Sequence, residues 1–236
     1  AWLPVLRPDW PAPAHVHALC TTREGGVSAP PYDSLNLGLH VQDEVQAVMH
    51  NRALLQQACG VRPVFLSQIH GVDVLRVDTQ TPDGSQADAC WTDAPGVACT
   101  ILVADCLPVL FTDRQGRSVA AAHAGWRGLA AGVLEATLGQ VCRASHCEPN
   151  EVMVWLGPCI GPSAFEVGDD VRLAMHQAVD VSECFVPTGQ AGKWWTDLSG
   201  LARSRLRRAG VSALYGNDST PSWCTVTEAS RFFSYR

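Results

Sequence analysis

Apolar positions along this chain change period several times, and each change marks an element. Val45, Val48, Met49, Ala53, Leu54 and Leu55 recur at roughly helical spacing. Asp43 with Gln46 resembles a capping box and Gly60 stands where a helix stops, so a helix is predicted over 43–59. Apolar runs at Val64–Gln68, Val97–Ala104 and Val109–Thr112 read as strands, and Ser118–His123 reads as another after the turn Asp113-Arg114-Gln115-Gly116. Two of these runs are continuously apolar, which predicts a sheet covered on both faces. Leu129, Val133, Leu134, Leu138 and Val141 predict a helix over 127–142, and Val152–Leu156 predicts a further buried strand. Strand character at Val16–Thr22, helices near 169–179 and 198–209, and a final strand near 231–235 complete the pattern.

Strands and helices mix without regular alternation, which points away from Rossmann and TIM-barrel folds. The expected class is α+β, a mixed α/β sandwich with helices outside a mixed sheet. No tandem repeat, low-complexity tract or long linker interrupts the 236 residues, so a single domain over 1–236 is expected. The loop from Arg23 to Tyr32 is too rich in Gly and Pro to be regular, and loops of that length usually carry a task.

Composition narrows the function. With 17 Lys+Arg against 23 Asp+Glu, the net charge of −6 argues against a general nucleic-acid or anionic-membrane binder. Hydrophobic residues at 47% and charged residues at 17% fit a chain that buries a large core. No stretch approaches the roughly 18 apolar residues that span a bilayer, and a cytoplasmic protein is expected. Ten cysteines are too sparse for a disulfide scaffold. Several lie inside apolar runs, where a free thiol behaves as a small buried hydrophobe. No CxxC pair, GxGxxG or Walker loop is present.

Three polar residues stand where strands end: His70, Cys106 and His123. If those strands are neighbours the side chains converge, and two imidazoles with one thiolate suit a borderline-soft ion such as zinc, leaving a fourth position open. Spacing alone does not establish this, since a cysteine between apolar strands is most often core and the histidines lack a local metal spacing. Asp105 strengthens the case, because it puts a charge into an apolar run. Gly125-Trp126-Arg127-Gly128 opens a helix just after His123, and unpaired N–H groups beside an arginine fork suit a phosphate or carboxylate. Arg23, followed by Glu24-Gly25-Gly26, is a candidate second cation, and Asn36 could read a polar base or sugar edge or simply bond its own backbone. The cluster Cys142-Arg143-Ala144-Ser145-His146-Cys147 reads as a surface loop rather than a metal site. Arg203, Arg205, Arg207 and Arg208 read as the solvated face of one amphipathic helix.

Eight segments, taken in order, resemble the YfiH family over nearly the whole chain. They are Thr21–Ser28, Ser34–Gly38, Gln68-Ile69-His70-Gly71, Ala87-Asp88-Ala89, Ala104–Pro108, Ala122–Gly128, Gly157–Gly161 and Phe232–Arg236. The resemblance implies a bacterial, cytoplasmic, zinc-dependent enzyme of purine nucleoside metabolism. It would phosphorolyse adenosine, inosine, guanosine and methylthioadenosine, with an added adenosine deaminase activity. It also implies a three-layer α/β/α sandwich around a mixed sheet, shared with Cys–His hydrolase-like proteins. In the family the chain continues past the motif ending here at Tyr235-Arg236, so a short tail is expected beyond it.

By the same resemblance His70, Cys106 and His123 are the metal ligands, with Cys106, His123 and Asp105 at the chemistry. Arg23, Asn36, Gln68 and Arg127 would hold substrate or inorganic phosphate, the co-substrate. Older labels for the family are copper-dependent, laccase-like polyphenol oxidase, and some members are described as removing a wrongly added L-serine from UDP-MurNAc precursors of peptidoglycan. A multicopper oxidase needs many histidines, and this chain has 8, with only two of them in the matched site. The HxE…PCxxC signature of zinc deaminases is absent, so deamination would need a differently built metal site. A Cys–His amidase and a non-enzymatic zinc module with a fourth ligand from Cys90, Cys99 or Cys159 remain alternatives. The expected partner is a small-molecule nucleoside, and the expected state is a monomer or homodimer.

Overall fold

In the computed structural model, which describes residues 3–176 and 182–236, the chain runs as follows. It begins β1 (Val5–Leu6), β2 (Cys20–Thr21), α1 (Val45–Cys59), β3 (Arg62–Phe65), β4 (Val74–Arg76), β5 (Ala89–Thr92) and β6 (Val97–Thr100). The middle holds β7 (Leu107–Asp113), β8 (Val119–Ala124), α2 (Trp126–Ala131), α3 (Val133–Ser145) and β9 (Val152–Leu156). It closes with β10 (Glu166–Gly168), α4 (Asp169–His176), β11 (Phe185–Pro187), β12 (Lys193–Thr196), α5 (Leu198–Arg208) and β13 (Ala213–Gly216).

The hairpin β7–β8 is the axis of the molecule. Its turn is built on the buried Asp113, whose carboxylate accepts from the backbone N–H groups of Gln115, Arg117 and Ser118, from Arg117 Nε and from Ser145 Oγ. Around this hairpin a six-stranded mixed sheet assembles in the order β13-β9-β7-β8-β5-β4. The outer pairs β13–β9 and β4–β5 are parallel and the inner pairs antiparallel.

Alternation along the strands sends their two faces to different cores. Val109, Phe111, Ala120, Ala122 and Ala124 join Leu134, Leu138 and Val141 in one buried cluster. The alanines are short enough for α3 to lie close across β8, β5 and β7. Cys90 points the other way, into a cluster with Val64, Leu66 and Val97. The helices thus cover one face of the sheet as expected. The other face is covered by the parallel β3–β6 pair, with α1 behind it through Leu55, Phe65, Leu35 and Leu37.

Several expectations are corrected. The strand expected over Val16–Thr22 is only Cys20–Thr21, paired to Val5–Leu6. The strand expected through Ala104 ends at Thr100, because the Leu102 N–H turns aside to bond Gln68. The helix expected over 127–142 is broken at Gly132, whose φ of 103° no continuous helix permits. The α4 helix is described to His176, and the rest of the expected 169–179 span lies outside the described residues. No strand forms near 231–235, where the chain leaves a turn and runs on unpaired by any ladder.

The capping box at Asp43 is also absent. Helix α1 begins after Glu44 with no side-chain cap, and the Asp43 carboxylate accepts from Ser28 Oγ at 2.7 Å and Asn36 Nδ2 at 2.9 Å. The arginine row of α5 is a solvated face only in part: Arg207 and Arg208 are exposed, but the other two are engaged. Arg205 is buried against Glu135 at 2.7 Å, and Arg203 bonds the carbonyls of Gly216 and Asn217.

Candidate metal centre and substrate cleft

Strand register brings the first two ligands together. Leu107 pairs with Ala124 and Pro108 with His123, so Cys106, the residue just before β7, lies beside His123 near the end of β8. His70 arrives from the loop after β3, and its Nε2 is 3.8 Å from Cys106 Sγ. The two imidazole rings meet edge to face, centroids 4.8 Å apart. The ligand atoms of His70, Cys106 and His123 all lie within 4.8 Å of one another, the only such group of three or more metal-ligating residues among the described residues.

The residue that organises this cluster is Asp88, which stands among the family-matching segments but to which the sequence assigned no role. It is buried, and four hydrogen bonds end on its carboxylate. Oδ1 accepts from His123 Nδ1 at 2.8 Å and from the His70 N–H at 2.8 Å. Oδ2 accepts from the N–H groups of Ile69 at 3.0 Å and Gly71 at 2.8 Å. The bond to Nδ1 fixes the His123 tautomer and leaves Nε2 with its lone pair for a cation, the carboxylate–histidine arrangement of metal sites. The bonds to residues 69–71 curl the His70 loop, and His70 takes a φ of 61°. Burial pushes the Asp88 carboxyl up, but the bonds from His123 and the three backbone N–H groups outweigh it and hold it at about 2.

Further pieces lock the loops in place. Gln68, expected at the substrate, clasps Leu102 with both ends of its amide, donating to the carbonyl and accepting from the N–H at 2.8 Å each. That clasp joins the His70 loop to the segment leading into Cys106. Gly125 is needed for close approach: a Cβ there would stand 2.8 Å from His70 Cδ2 and 2.9 Å from Cys106 Sγ. Asp105, with a φ of 94°, accepts from Thr225 Oγ1 at 2.6 Å and from the Tyr235 N–H at 3.0 Å. Both of its oxygens therefore serve to fix the loop that presents Cys106. Two non-glycine residues at positive φ beside one cluster are the strain expected where the surrounding structure dictates geometry.

The electrostatics suit a cation. Burial, His123 and the Arg127 guanidinium hold His70 below the ordinary imidazole range against the pull of Asp88, which favours the neutral ring that a cation could bind. Burial, Asp105 and Asp88 push the Cys106 thiol up to about 11. A group so placed ionises when a cation arrives to share the electron pair. Two imidazoles and a thiolate fit zinc by donor chemistry, and metal–ligand bonds of about 2.0–2.3 Å place such donors close to the separations seen here.

The cluster opens on a cleft of about 1730 Å³. Arg127 lines it, exposed, its guanidinium 4.4 Å from the Trp126 ring centroid and without an ion pair among the described residues. Arg23 also lines it, but its Nε donates to the Asp33 carbonyl, Nη1 to the Ala229 carbonyl and Nη2 to the Asp33 carboxylate at 3.1 Å. Asn36 bonds Gly38 and Asp43. The Cys142–Cys147 cluster gathers no third ligand among the described residues. Cys90, Cys99 and Cys159 stay outside the His–Cys–His group as well.

A family model described as multi-copper polyphenol oxidoreductase laccase matches residues 17–236. A purine nucleoside phosphorylase of Pseudomonas aeruginosa is 52% identical over 237 residues, covering 100% of this chain and 93% of that protein. The purine nucleoside phosphorylase YfiH of Escherichia coli is 49% identical, covering 98% and 93%. The chain belongs to the YfiH family. A crystal structure of a Neisseria meningitidis protein superposes on this YfiH-family chain with a TM-score of 0.90 at 47% identity, covering 98% of this chain and 92% of that one. YlmD of Geobacillus stearothermophilus gives 0.85 at 31%, covering 94% and 87%. The mixed α/β fold is therefore that of the family. Among the described residues no helix is long and apolar enough to cross a membrane, and all ten cysteines are free thiols.

Proposed function

We propose that this chain is a zinc-dependent purine nucleoside phosphorylase acting on adenosine, inosine, guanosine and methylthioadenosine, with adenosine deamination as a second activity at the same site. The observation that carries the reading is the His70–Cys106–His123 group, oriented by Asp88 and opening on a cleft where Arg127 stands exposed and, among the described residues, without an ion pair. The phosphorylase names of relatives at 49–52% identity support it. A small-molecule nucleoside as partner, a monomer or homodimer, and a cytoplasmic location belong to the same reading.

Phosphorolysis joins a phosphate oxygen to the anomeric carbon of the ribose and breaks its bond to the base nitrogen. His70, Cys106 and His123 would hold the zinc ion, which when bound supplies Lewis acidity at the wall of the cleft. Arg127 offers a planar fork to the phosphate, and Trp126 beneath it limits where that fork swings. Asp88 holds the His123 ring through Nδ1, and Asp105 acts by fixing the loop before Cys106. Arg127 also raises the positive potential at His70, which favours anion binding beside the cluster.

Two alternatives fit less well. An amidase with Cys106 as nucleophile needs a thiol whose ionisation is eased, whereas Cys106 is pushed up to about 11. A multicopper oxidase needs several copper centres, and the described residues gather one three-ligand group. The test is to load the purified protein with zinc or with copper and to follow adenosine and inosine by chromatography, with and without inorganic phosphate. Release of free base that depends on phosphate and zinc is the expected result. Oxidation of phenols by the copper form without base release, or serine release from a UDP-MurNAc-L-serine substrate alone, would overturn it.

A further inference from the structure

Beyond Trp223 the chain forms a strap that joins two loops bordering the cleft. At one side Asp105 takes Thr225 Oγ1 and the Tyr235 N–H, one residue from the ligand Cys106. At the other, the Arg23 N–H donates to the Arg231 carbonyl at 2.8 Å and Arg23 Nη1 to the Ala229 carbonyl at 2.9 Å. Three aromatic residues of this strap line the cleft: Phe232, Phe233 and Tyr235. Phe232 is a buried anchor, and Tyr235 is 90% exposed. Phe233 lies between these extremes, half-buried, with the Arg23 guanidinium 4.7 Å from its ring centroid. That guanidinium is itself pinned by the Asp33 carbonyl at 2.8 Å and the Asp33 carboxylate at 3.1 Å.

We propose that Phe233 is the platform on which the base of the nucleoside stacks, and that Arg23 is a positioning residue holding the ring from behind. The inference rests on the phosphorylase reading and deepens it. A flat heteroaromatic base gains most from a ring that already stands still, because no rotamer freedom is lost when it binds. The pinned cation draws on the π-face it touches and fixes the ring plane. A purine, with the larger π-surface, gains more from such a ring than a pyrimidine. The ion pair with Asp33 already meets the Arg23 charge, so phosphate is left to Arg127.

The test compares zinc-loaded wild type with Phe233→Leu, Phe233→Tyr and Arg23→Met. KM for inosine and KM for phosphate are measured separately, with equilibrium dialysis of adenine, zinc content and thermal melting alongside. Phe233→Leu is expected to raise the inosine KM and the adenine Kd about tenfold, the scale of base–aromatic stacking. Its phosphate KM and zinc content stay within about twofold of wild type, and Phe233→Tyr restores adenine binding. Arg23→Met is expected to weaken inosine and adenine but not phosphate. A Phe233→Leu protein that phosphorolyses inosine with an unchanged KM and binds adenine as wild type does overturns the platform alone. A rise in phosphate KM in Arg23→Met overturns the positioning role. A wild type that binds neither adenine nor inosine removes the phosphorylase reading and this inference together.

Discussion

Replacing Asp88 by Asn tests the architecture of the site most directly, because the side chain keeps its shape and loses its charge and half its acceptor capacity. In the wild type Oδ1 accepts from His123 Nδ1 and the His70 N–H, and Oδ2 from the N–H groups of Ile69 and Gly71. Asn can keep one oxygen on His123 and His70, but its NH2 then faces two N–H donors. Two bonds to a charged acceptor are lost, each contributing about 1.5–3 kcal/mol, and relaxation of the exposed His70 loop recovers part of that. The carboxyl, held at about 2 rather than 3.8, independently corresponds to roughly 2–2.5 kcal/mol in favour of the ionised form. A destabilisation of about 3 kcal/mol is therefore expected in urea unfolding of metal-free protein. Zinc affinity, read by competition with a chromogenic chelator, is expected to fall about 10- to 100-fold as His123 loses its orienting partner. Retention of stability within about 0.5 kcal/mol together with unchanged zinc affinity would refute the reasoning.

Other outcomes follow from the same geometry. Gly125→Ala places a Cβ against His70 and Cys106, and it is expected to cost at least tenfold in zinc affinity while the far-ultraviolet circular dichroism stays that of the wild type. Arg127→Ala is expected to raise the phosphate KM by tenfold or more with nucleoside KM little changed, the loss of a charge-assisted fork being on the order of 1.5–3 kcal/mol. Asp113 sits buried in the hairpin turn, where the Arg117 side chain, its N–H, Ser145 and the Gln115 N–H lower its carboxyl against the effect of burial. A depressed carboxyl stabilises the fold above the ordinary carboxylate range, and that contribution is lost as pH falls through the folded value. Asp113→Asn should thus unfold more easily at pH 7, by about 2–4 kcal/mol, and show a flatter loss of stability than wild type in titrations below about pH 4.

Much of the scaffold could be read from the chain by itself. The period of Val48 and Leu55 with Gly60 at the stop marks α1, and the apolar runs mark β7, β8 and β9, because each signal spans enough residues to stand out from its neighbours. The residues His70, Cys106 and His123 were legible as polar interruptions at strand ends. Strands β4, β5, β10, β12 and β13 were not, since three or four residues give no period, and their pairing comes from partners far along the chain. Asp105 was expected at the chemistry and Gln68 at the substrate, yet Gln68 is bonded to backbone 34 positions away and Asp105 to strap atoms 120 and 130 positions away.

Local sequence thus determined where the long helices and buried strands lie and which side chains were able to bind a metal, for those depend on spacing within a few residues. Only the tertiary structure decided that the three candidate ligands meet. It did so through the β7–β8 register and through Asp88, whose partners lie between 17 and 35 positions away. A carboxylate buried with four donors is set by the whole fold around it, and no window of sequence contains that information.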